Sequence, residues 1–432
     1  MSTLQVTDGA VLRPDMTVAE ADVLADRETG RIVELGDTAA GDEVLDASGC
    51  LVVPGLVNPH CHVAMTLLRG YADDKPLGPW LEEDIWPVEA ALEPADIAAG
   101  ARLGAVELLR NGVTAFADMY FEVPTVAAAI EASGLRARIG HGVVTVGKDE
   151  PDARADFEEG LAVAREFDGA AEGRIETALM PHSLTTVDDE LLREFVPRAR
   201  EAGVPLHYHA NETPAEVEPI VADHGVRPLE HAADLGALEP GDFIAHGVHV
   251  DRAEIELLAE RDVGVAHCPA SNMKLASGIA PVQEMLDAGV TVGIGTDGAA
   301  SNNDLDAFDE LRDAAMVGKL EAGDAAAVSA PDAVRAATAG GAEVLGFDAG
   351  RIAVGALADL AVVDLAEPHL TPAHDPISHL AYAVRGSDVR DTVVGGEIVV
   401  RDRTVRTLDE AAVRAEAERR ASALIDRAET GG

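Results

Sequence analysis

Eight short apolar runs alternate with longer amphipathic stretches through the middle of this chain. That alternation restricts the fold more than any other feature. The runs lie at 51–62, 114–120, 138–144, 176–183, 204–212, 243–250, 264–272 and 291–298. Between them are segments rich in Ala, Leu and Glu, such as 94–111, 151–167 and 251–261. Several are followed by a glycine before the next run: Asn111-Gly112, Ser133-Gly134, Ala202-Gly203 and Ala288-Gly289. Glycine is the residue that most readily makes the left-handed turn closing a helix. Eight strand–helix units in succession predict an α/β fold, a (β/α)8 TIM barrel.

The flanks read differently. Residues 1–53 and 354–432 carry short alternating segments with turn residues, as at 31–36, 358–364 and 393–400. Both ends are expected to pair into a small β-sandwich beside a barrel spanning 54–353. The stretch 408–428 reads as a terminal helix rich in Ala, Glu and Arg.

Polar residues close nearly every barrel run: His60 and His62, Asp118, His141, His182, His209 and Glu212, His246, His267, and Asp297. The C-terminal ends of barrel strands form the active-site face of this architecture. A purely structural face would be apolar there. His60 and His62, at i and i+2 of a strand, point to one side and can share a metal ion. His209 adds a third nitrogen and Asp297, in Gly295-Thr296-Asp297-Gly298, an oxygen. Three imidazoles and one carboxylate with room for water suit a catalytic divalent ion, above all Zn2+. His207 rivals His209 from the same strand face. His209 is preferred because Glu212 follows it at H-x-x-E spacing, which leaves His207 either a core residue or one that supports the ligands. No lysine closes the fourth run, so one ion is expected rather than a lysine-bridged pair. A divalent ion acidifies the water it holds. Asp297 can then accept that water's proton, Glu212 can pass a proton to the substrate, and His246 can orient or polarise the point of attack. Otherwise His246 is a packed strand-end histidine, the role expected of His249 and His267.

The formal net charge is −45, from 78 acidic and 33 basic residues, with only four lysines. Acid is spread along the whole chain, as in proteins kept soluble where concentrated salt screens self-repulsion. A halophilic cytoplasm is the expected setting, and polyanionic nucleic acids are poor partners. Cys50, Cys61 and Cys268 form no disulfide framework. Neither a signal peptide nor a membrane span is read from the sequence.

Long ordered motifs carry a resemblance. They are Pro54-Gly55-Leu56-Val57-Asn58-Pro59-His60-Cys61-His62, the stretch from Leu67 to Asp74 (LLRGYADD) and that from Trp80 to Glu89 (WLEEDIWPVE). Two more are His267-Cys268-Pro269-Ala270-Ser271-Asn272 and Gly295-Thr296-Asp297-Gly298-Ala299-Ala300-Ser301. Over almost its whole length the chain resembles the amidohydrolase superfamily, within it the 5-methylthioadenosine/S-adenosylhomocysteine deaminases, which sit near the triazine chlorohydrolases. The resemblance implies metal ligands at His60, His62, His209 and Asp297, with Glu212 and His246 on proton-transfer positions. It puts Glu89 against the ribose hydroxyls and His182 in contact with the substrate. Trp80 falls where an aromatic side chain lies near the ligand, or is a buried anchor. At the end of strand three, where some members carry an arginine that reaches the substrate tail, this chain has His141. A second family arginine matches Arg154.

The expected reaction is hydrolytic deamination of a small-molecule adenine nucleoside. The candidates are methylthioadenosine, S-adenosylhomocysteine, 5′-deoxyadenosine and adenosine. The alternative is a deaminase or chlorohydrolase acting on another amino-heterocycle such as guanine or a triazine. Related barrels form dimers or tetramers, so a homo-oligomer is compatible with the resemblance, though no stretch selects one.

Overall fold

The computed structural model of the chain describes residues 2–430. Nine barrel segments, all parallel, form two arcs. The first holds β6 (Leu56–Cys61), β7 (Val113–Tyr120), β8 (Arg136–Val143), β9 (Ile175–Thr177) and β10 (Met180–Pro181). The second holds β11 (His207–Ala210), β12 (Phe243–His246), β13 (Gly264–His267) and β14 (Val292–Ile294). The fourth barrel strand is therefore broken in two, as β9 and β10. Bridges Leu179↔Leu206 and Ser183↔His209 join the arcs on one side. On the other, the Asp297 N–H donates to the His60 carbonyl at 3.0 Å. Every residue of β7 is buried, as expected of a parallel strand covered on both faces.

The expected turn glycines behave as such. Gly134 and Gly289 close the helices Val123–Ser133 and Val282–Ala288 with φ of 86° each, a conformation that costs glycine little. The helix Arg252–Arg261 starts on a reciprocal cap, in which Asp251 accepts from the Glu254 N–H and Glu254 accepts from the Asp251 N–H.

Both chain ends build one nine-stranded sheet. From the N-terminal side come β1 (Thr3–Leu12), β2 (Val18–Asp26), β3 (Arg31–Gly36), β4 (Glu43–Asp46) and β5 (Cys50–Pro54). From the C-terminal side come β15 (Leu360–Asp364), β16 (Val389–Val394), β17 (Glu397–Arg401) and β18 (Thr404–Val405). The order is β18-β17-β16-β15-β5-β1-β2-β3, with β4 on β1. The sheet encloses its own core, which includes Leu4, Val23, Ile32, Val52 and Leu360.

The run 51–62, within which the sequence sets the sandwich–barrel boundary after residue 53, belongs to both units. It divides at Gly55, between β5 in the sheet and β6 in the barrel. A Cβ at Gly55 would stand 2.2 Å from Thr114 Oγ1, so only glycine fits where the chain passes from one unit to the other. The terminal helix Glu410–Thr430 packs on the helix Pro94–Arg110, with Arg110 bound to Glu410 at 2.8 Å and Arg427 to Asp96.

Candidate active site

At the C-terminal mouth of the barrel a cavity of about 250 Å³ is lined by His62, Glu89, His182, His209, Glu212, His246 and Asp297, among others. Strand termini deliver all of these side chains but Glu89, which comes from the helix Trp86–Glu89, and the backbone bends sharply at several of them. Asn211, His246 and Asp297 all have positive φ, at 54°, 72° and 59°. Non-glycine residues rarely adopt this conformation, and it is found where a site over-determines its geometry. The turn at Asn211 brings both His209 and Glu212 into the cavity lining.

Hydrogen bonds fix the tautomers of the histidine cluster. His207 Nδ1 donates to the Phe243 carbonyl at 3.0 Å, so its Nε2 is an acceptor. It receives His60 Nδ1–H at 2.8 Å. His62 Nδ1 donates to the Met119 carbonyl at 2.6 Å, and His209 Nδ1 to the His182 carbonyl at 2.7 Å. His60, His62 and His209 therefore all turn Nε2 inward, the nitrogen that holds the lone pair when the ring is neutral. There they meet Asp297 Oδ1, which lies 3.3 Å from His60 Nε2 and 3.2 Å from His62 Nε2. His60 Nε2 is buried and unaligned for a hydrogen bond with any partner. His209 Nε2 stands 3.3 Å from His62 Nε2. Lone pairs facing one another and a carboxylate are satisfied by a cation, and one donor atom from each of these four residues lies within 4.8 Å of the others. The residues fit a divalent metal ion.

Burial and the Asp297 carboxylate set the charges in the cluster, and an ion would take the place of the proton held at His62. Burial pushes His60 down to about 4, in its neutral ligand form. Burial also works against a charge on His62, but Asp297 outweighs it and raises His62 to about 9. Burial opposes ionisation of Asp297, yet the His60 and His62 rings hold it well below the carboxylate range. The other oxygen of Asp297, Oδ2, accepts from Ser271 Oγ at 2.6 Å and Ser301 Oγ at 2.8 Å.

Glu212 and His246 face each other beside this cluster, Oε2 to Nε2 at 3.5 Å. Burial raises the pKa of Glu212. Burial alone would lower His246, but the Glu212 carboxylate raises it. His246 Nδ1 donates to Asn272 Oδ1 at 2.9 Å, and Ser277 Oγ donates to Glu212 Oε1 at 3.0 Å. Glu216 also lines the cavity; burial, then the neighbouring Glu212, pushes it up to about 7. Glu89, also in the lining, accepts through Oε1 from the Tyr120 hydroxyl at 2.7 Å. His182 Nδ1 meets Thr186 Oγ1 at 3.0 Å, and burial lowers its pKa to about 4.

Trp80 is both things its position allowed. It is 3% exposed, anchored by Nε1–H to the Ala72 carbonyl at 3.1 Å, and it also lines the cavity. Two expected substrate contacts lie elsewhere. Arg154 points outward and pairs with Glu194 over a separate groove, because its helix Glu150–Phe167 lies outside the barrel. His141 is buried behind the wall, with Nε2 bonded to Asp156 Oδ1 at 3.0 Å; its neighbour Gly142 is what reaches the lining. Asp118 accepts from the Val63 N–H at 2.6 Å and shapes the turn after His62 instead of lining the cavity. The roles of Ser271, Ser277, Ser301, Asn272 and Tyr120 in steadying other groups were not found from the sequence. The motifs around three of them, HCPASN and GTDGAAS, were the available signal.

The sequence model of the amidohydrolase family matches residues 51–399. The chain belongs to this family. It is 77% identical over 429 residues to a 5-methylthioadenosine/S-adenosylhomocysteine deaminase of Natronomonas pharaonis, covering 99% of this chain and 100% of that one. A protein of the same name from Halobacterium salinarum is 69% identical, with 99% of each chain covered. Among solved structures, a zinc-bound adenosine deaminase from Xanthomonas campestris superposes with a TM-score of 0.93 at 36% identity, covering 98% of this chain and 99% of that one. Likeness over the full length of an amidohydrolase-family fold places the mouth of the barrel, with its histidine cluster, at the centre of any functional reading.

Proposed function

We propose that this amidohydrolase-family chain hydrolyses the exocyclic amino group from an adenine nucleoside, releasing ammonia and the hypoxanthine nucleoside. The observation that carries the reading is the convergence of three imidazole lone pairs and Asp297 beside the buried acid Glu212. The near-full-length likeness to enzymes named as methylthioadenosine/S-adenosylhomocysteine deaminases supports it.

His60, His62, His209 and Asp297 would hold a single ion, and their donor set favours zinc. When bound, such an ion supplies water acidified towards neutral pH. Asp297 takes the proton that water gives up as it adds to the carbon bearing the amino group. Glu212, whose burial favours the protonated form, gives its proton to the adjacent ring nitrogen. His246, made more basic by Glu212, presents a polarising N–H to the same centre. The amino group then leaves as ammonia with the proton that Asp297 had taken, and the added hydroxyl becomes the carbonyl by returning its proton to Glu212. At the other end Glu89 keeps acceptor capacity beyond its bond from Tyr120 and takes the ribose hydroxyls. His182 and Trp80 wall the base and sugar.

Among the described residues the cavity lining holds no lysine or arginine, whereas Glu89, Glu212, Glu216 and Asp297 all line it. A tail ending in an amino-acid carboxylate meets no cation there. Small uncharged 5′ groups, as in methylthioadenosine, 5′-deoxyadenosine or adenosine, suit the apolar wall of Met65, Leu77, Leu81 and Phe121 better. We place the reaction in the cytoplasm. The three cysteines are buried free thiols, and among the described residues no helix is long and apolar enough to cross a membrane.

The test is Glu212→Gln, with ammonia release and bound metal measured on the same sample. Turnover is expected to fall by roughly 10²–10⁴-fold while metal content stays at the wild-type level. Normal turnover by this variant would remove Glu212 from the chemistry.

A further inference from the structure

A second group of ligand-type side chains lies away from the cavity. Asp189 opens the helix Asp189–Glu201, His224 ends the helix Pro214–His224, and His231 lies in the helix Pro228–Asp234. None of the three lines the catalytic cavity. His231 Nε2–H donates to Asp189 Oδ2 at 2.9 Å. His224 Nε2 faces the same oxygen at 3.8 Å, too far to bond it. The two imidazoles stack, with centroids 3.9 Å apart and planes at 24°. One donor atom from each residue lies within 4.8 Å of the other two.

The local structure leaves this carboxylate available. Asp188, and not Asp189, caps the helix, accepting from the N–H groups of Glu190 and Leu191. His231 is 3% exposed, so its ring is fixed by its surroundings. The Asp189 and His224 side chains keep 28% and 35% of their surface open, which leaves the group an edge towards solvent. Two stacked imidazoles against one carboxylate oxygen are an uneconomical arrangement when only one ring can bond it. An ion between them satisfies all three donor atoms. Around a tetrahedral ion with bonds near 2.1 Å the donors stand roughly 3.4 Å apart. The 2.9 Å and 3.8 Å separations straddle that figure, so small side-chain rotations close the site. Two nitrogens and one oxygen favour a borderline transition metal over calcium or magnesium.

We propose that Asp189, His224 and His231 form a second, solvent-open site for a divalent transition metal ion such as Zn2+, with water completing its coordination. The ion would clamp together three helices. One of them starts next to Glu212 and carries Glu216 into the cavity lining, while His224 is its last residue, about 12 Å from Glu216 along the helix axis.

The experiment uses the full-length protein, stripped by chelator and then titrated in high salt with Zn2+ and, separately, Co2+. Bound metal per chain is counted by elemental mass spectrometry, and Co2+ coordination is followed by visible absorption. The wild type is expected to bind one equivalent more than His224→Ala, and that equivalent's d–d bands should be missing from the variant. His224 is part-exposed at a helix end, so its loss should leave the fold and the deamination rate intact. Asp189→Asn, which keeps a similar shape, should weaken the same equivalent by at least about tenfold. Equal metal counts in wild type and His224→Ala overturn the proposal, as does an unchanged affinity in Asp189→Asn. Because the readout is a difference between proteins, it holds whether or not the cavity cluster binds metal as proposed above.

Discussion

His60 Nδ1 and His207 Nε2 are 2.8 Å apart, and this bond separates the two candidate histidines of β11. His207 spends one ring nitrogen on the Phe243 carbonyl and the other on His60, so it has no lone pair for a metal. His209, two residues on, turns Nε2 into the cluster. His207 thus acts on an ion only through His60, whose tautomer it sets. His207→Ala should lower zinc affinity by about 10–100-fold without removing a ligand. Competition with a chromophoric chelator would measure this, and an unchanged affinity would make His207 ordinary packing.

Much of this site was legible because strand period and barrel topology act together. His60 and His62 share a strand face, and parallel strands ending on one face bring His209, His246 and Asp297 to them. What the sequence could not show was orientation through bends and partners. Asn211 gives no sign of its left-handed turn. Ser271 and Ser301 read as loop residues until Asp297 is seen between them. Arg154 and His141 were misplaced for the reverse reason. A loop-length match says which residue follows a strand, whereas the inward or outward direction is set by helix packing and, for His141, by Asp156. The change of domain was expected within this apolar run, after residue 53, but nothing in the run marked Gly55 as the residue at which the strand divides.

The barrel and the terminal sheet are joined by a buried ion pair. Arg136 Nε on β8 donates to Asp359 Oδ2 at 2.7 Å, and Asp359 Oδ1 accepts from the Gly395 N–H at 2.7 Å. The side chains are only 7% and 1% exposed. Removing one partner strands the other charge in a poorly solvated place. Asp359→Leu should cost roughly 3–5 kcal/mol in urea unfolding, more than typical surface substitutions. A loss below about 1 kcal/mol would mean that water reaches Arg136 in the variant.

Asp306 provides a pH signature. Its carboxyl caps the helix Ala307–Ala322 and accepts from Gly386 N–H, yet burial pushes its pKa up from 3.8 to about 6. Between those values the folded state holds the proton that the unfolded state has lost. Stability from this group is therefore complete below about pH 4 and is lost as pH rises through 6. A shift of two units corresponds to about 3 kcal/mol as an upper figure. Asp306→Asn should flatten this slope relative to wild type between pH 4 and 6 at constant salt. Parallel curves would show that Asp306 is ionised in the fold throughout.

The excess of acid over base should make the fold depend on salt. At a formal charge of −45, self-repulsion opposes compaction, and screening relieves it over a Debye length of about 3 Å at 1 M. Thermal unfolding should move to higher temperature by several degrees as KCl is raised from 0.1 M towards molar levels. A midpoint independent of salt would mean that the many ion pairs already neutralise the field locally.

On the proposed reading, Glu89 separates a nucleoside deaminase from an enzyme of free heterocycles. Its carboxylate lines the same cavity as Glu212, with one oxygen fixed by Tyr120 and capacity left for a diol. A free base such as guanine, or a triazine, has nothing to place there. Glu89→Ala should therefore reduce kcat/KM for adenosine-type substrates by at least about 10²-fold, since hydrogen bonds to a charged acceptor are worth about 1.5–3 kcal/mol each and two hydroxyls are involved. Adenosine analogues lacking the ribose hydroxyls should lose activity with the wild type but gain little further penalty from the substitution. The cycle of two substrates against two proteins isolates the contact from any general loss of activity. If Glu89→Ala processes the complete nucleoside as well as the wild type does, the ribose is held elsewhere, and a free amino-heterocycle becomes the better substrate to pursue.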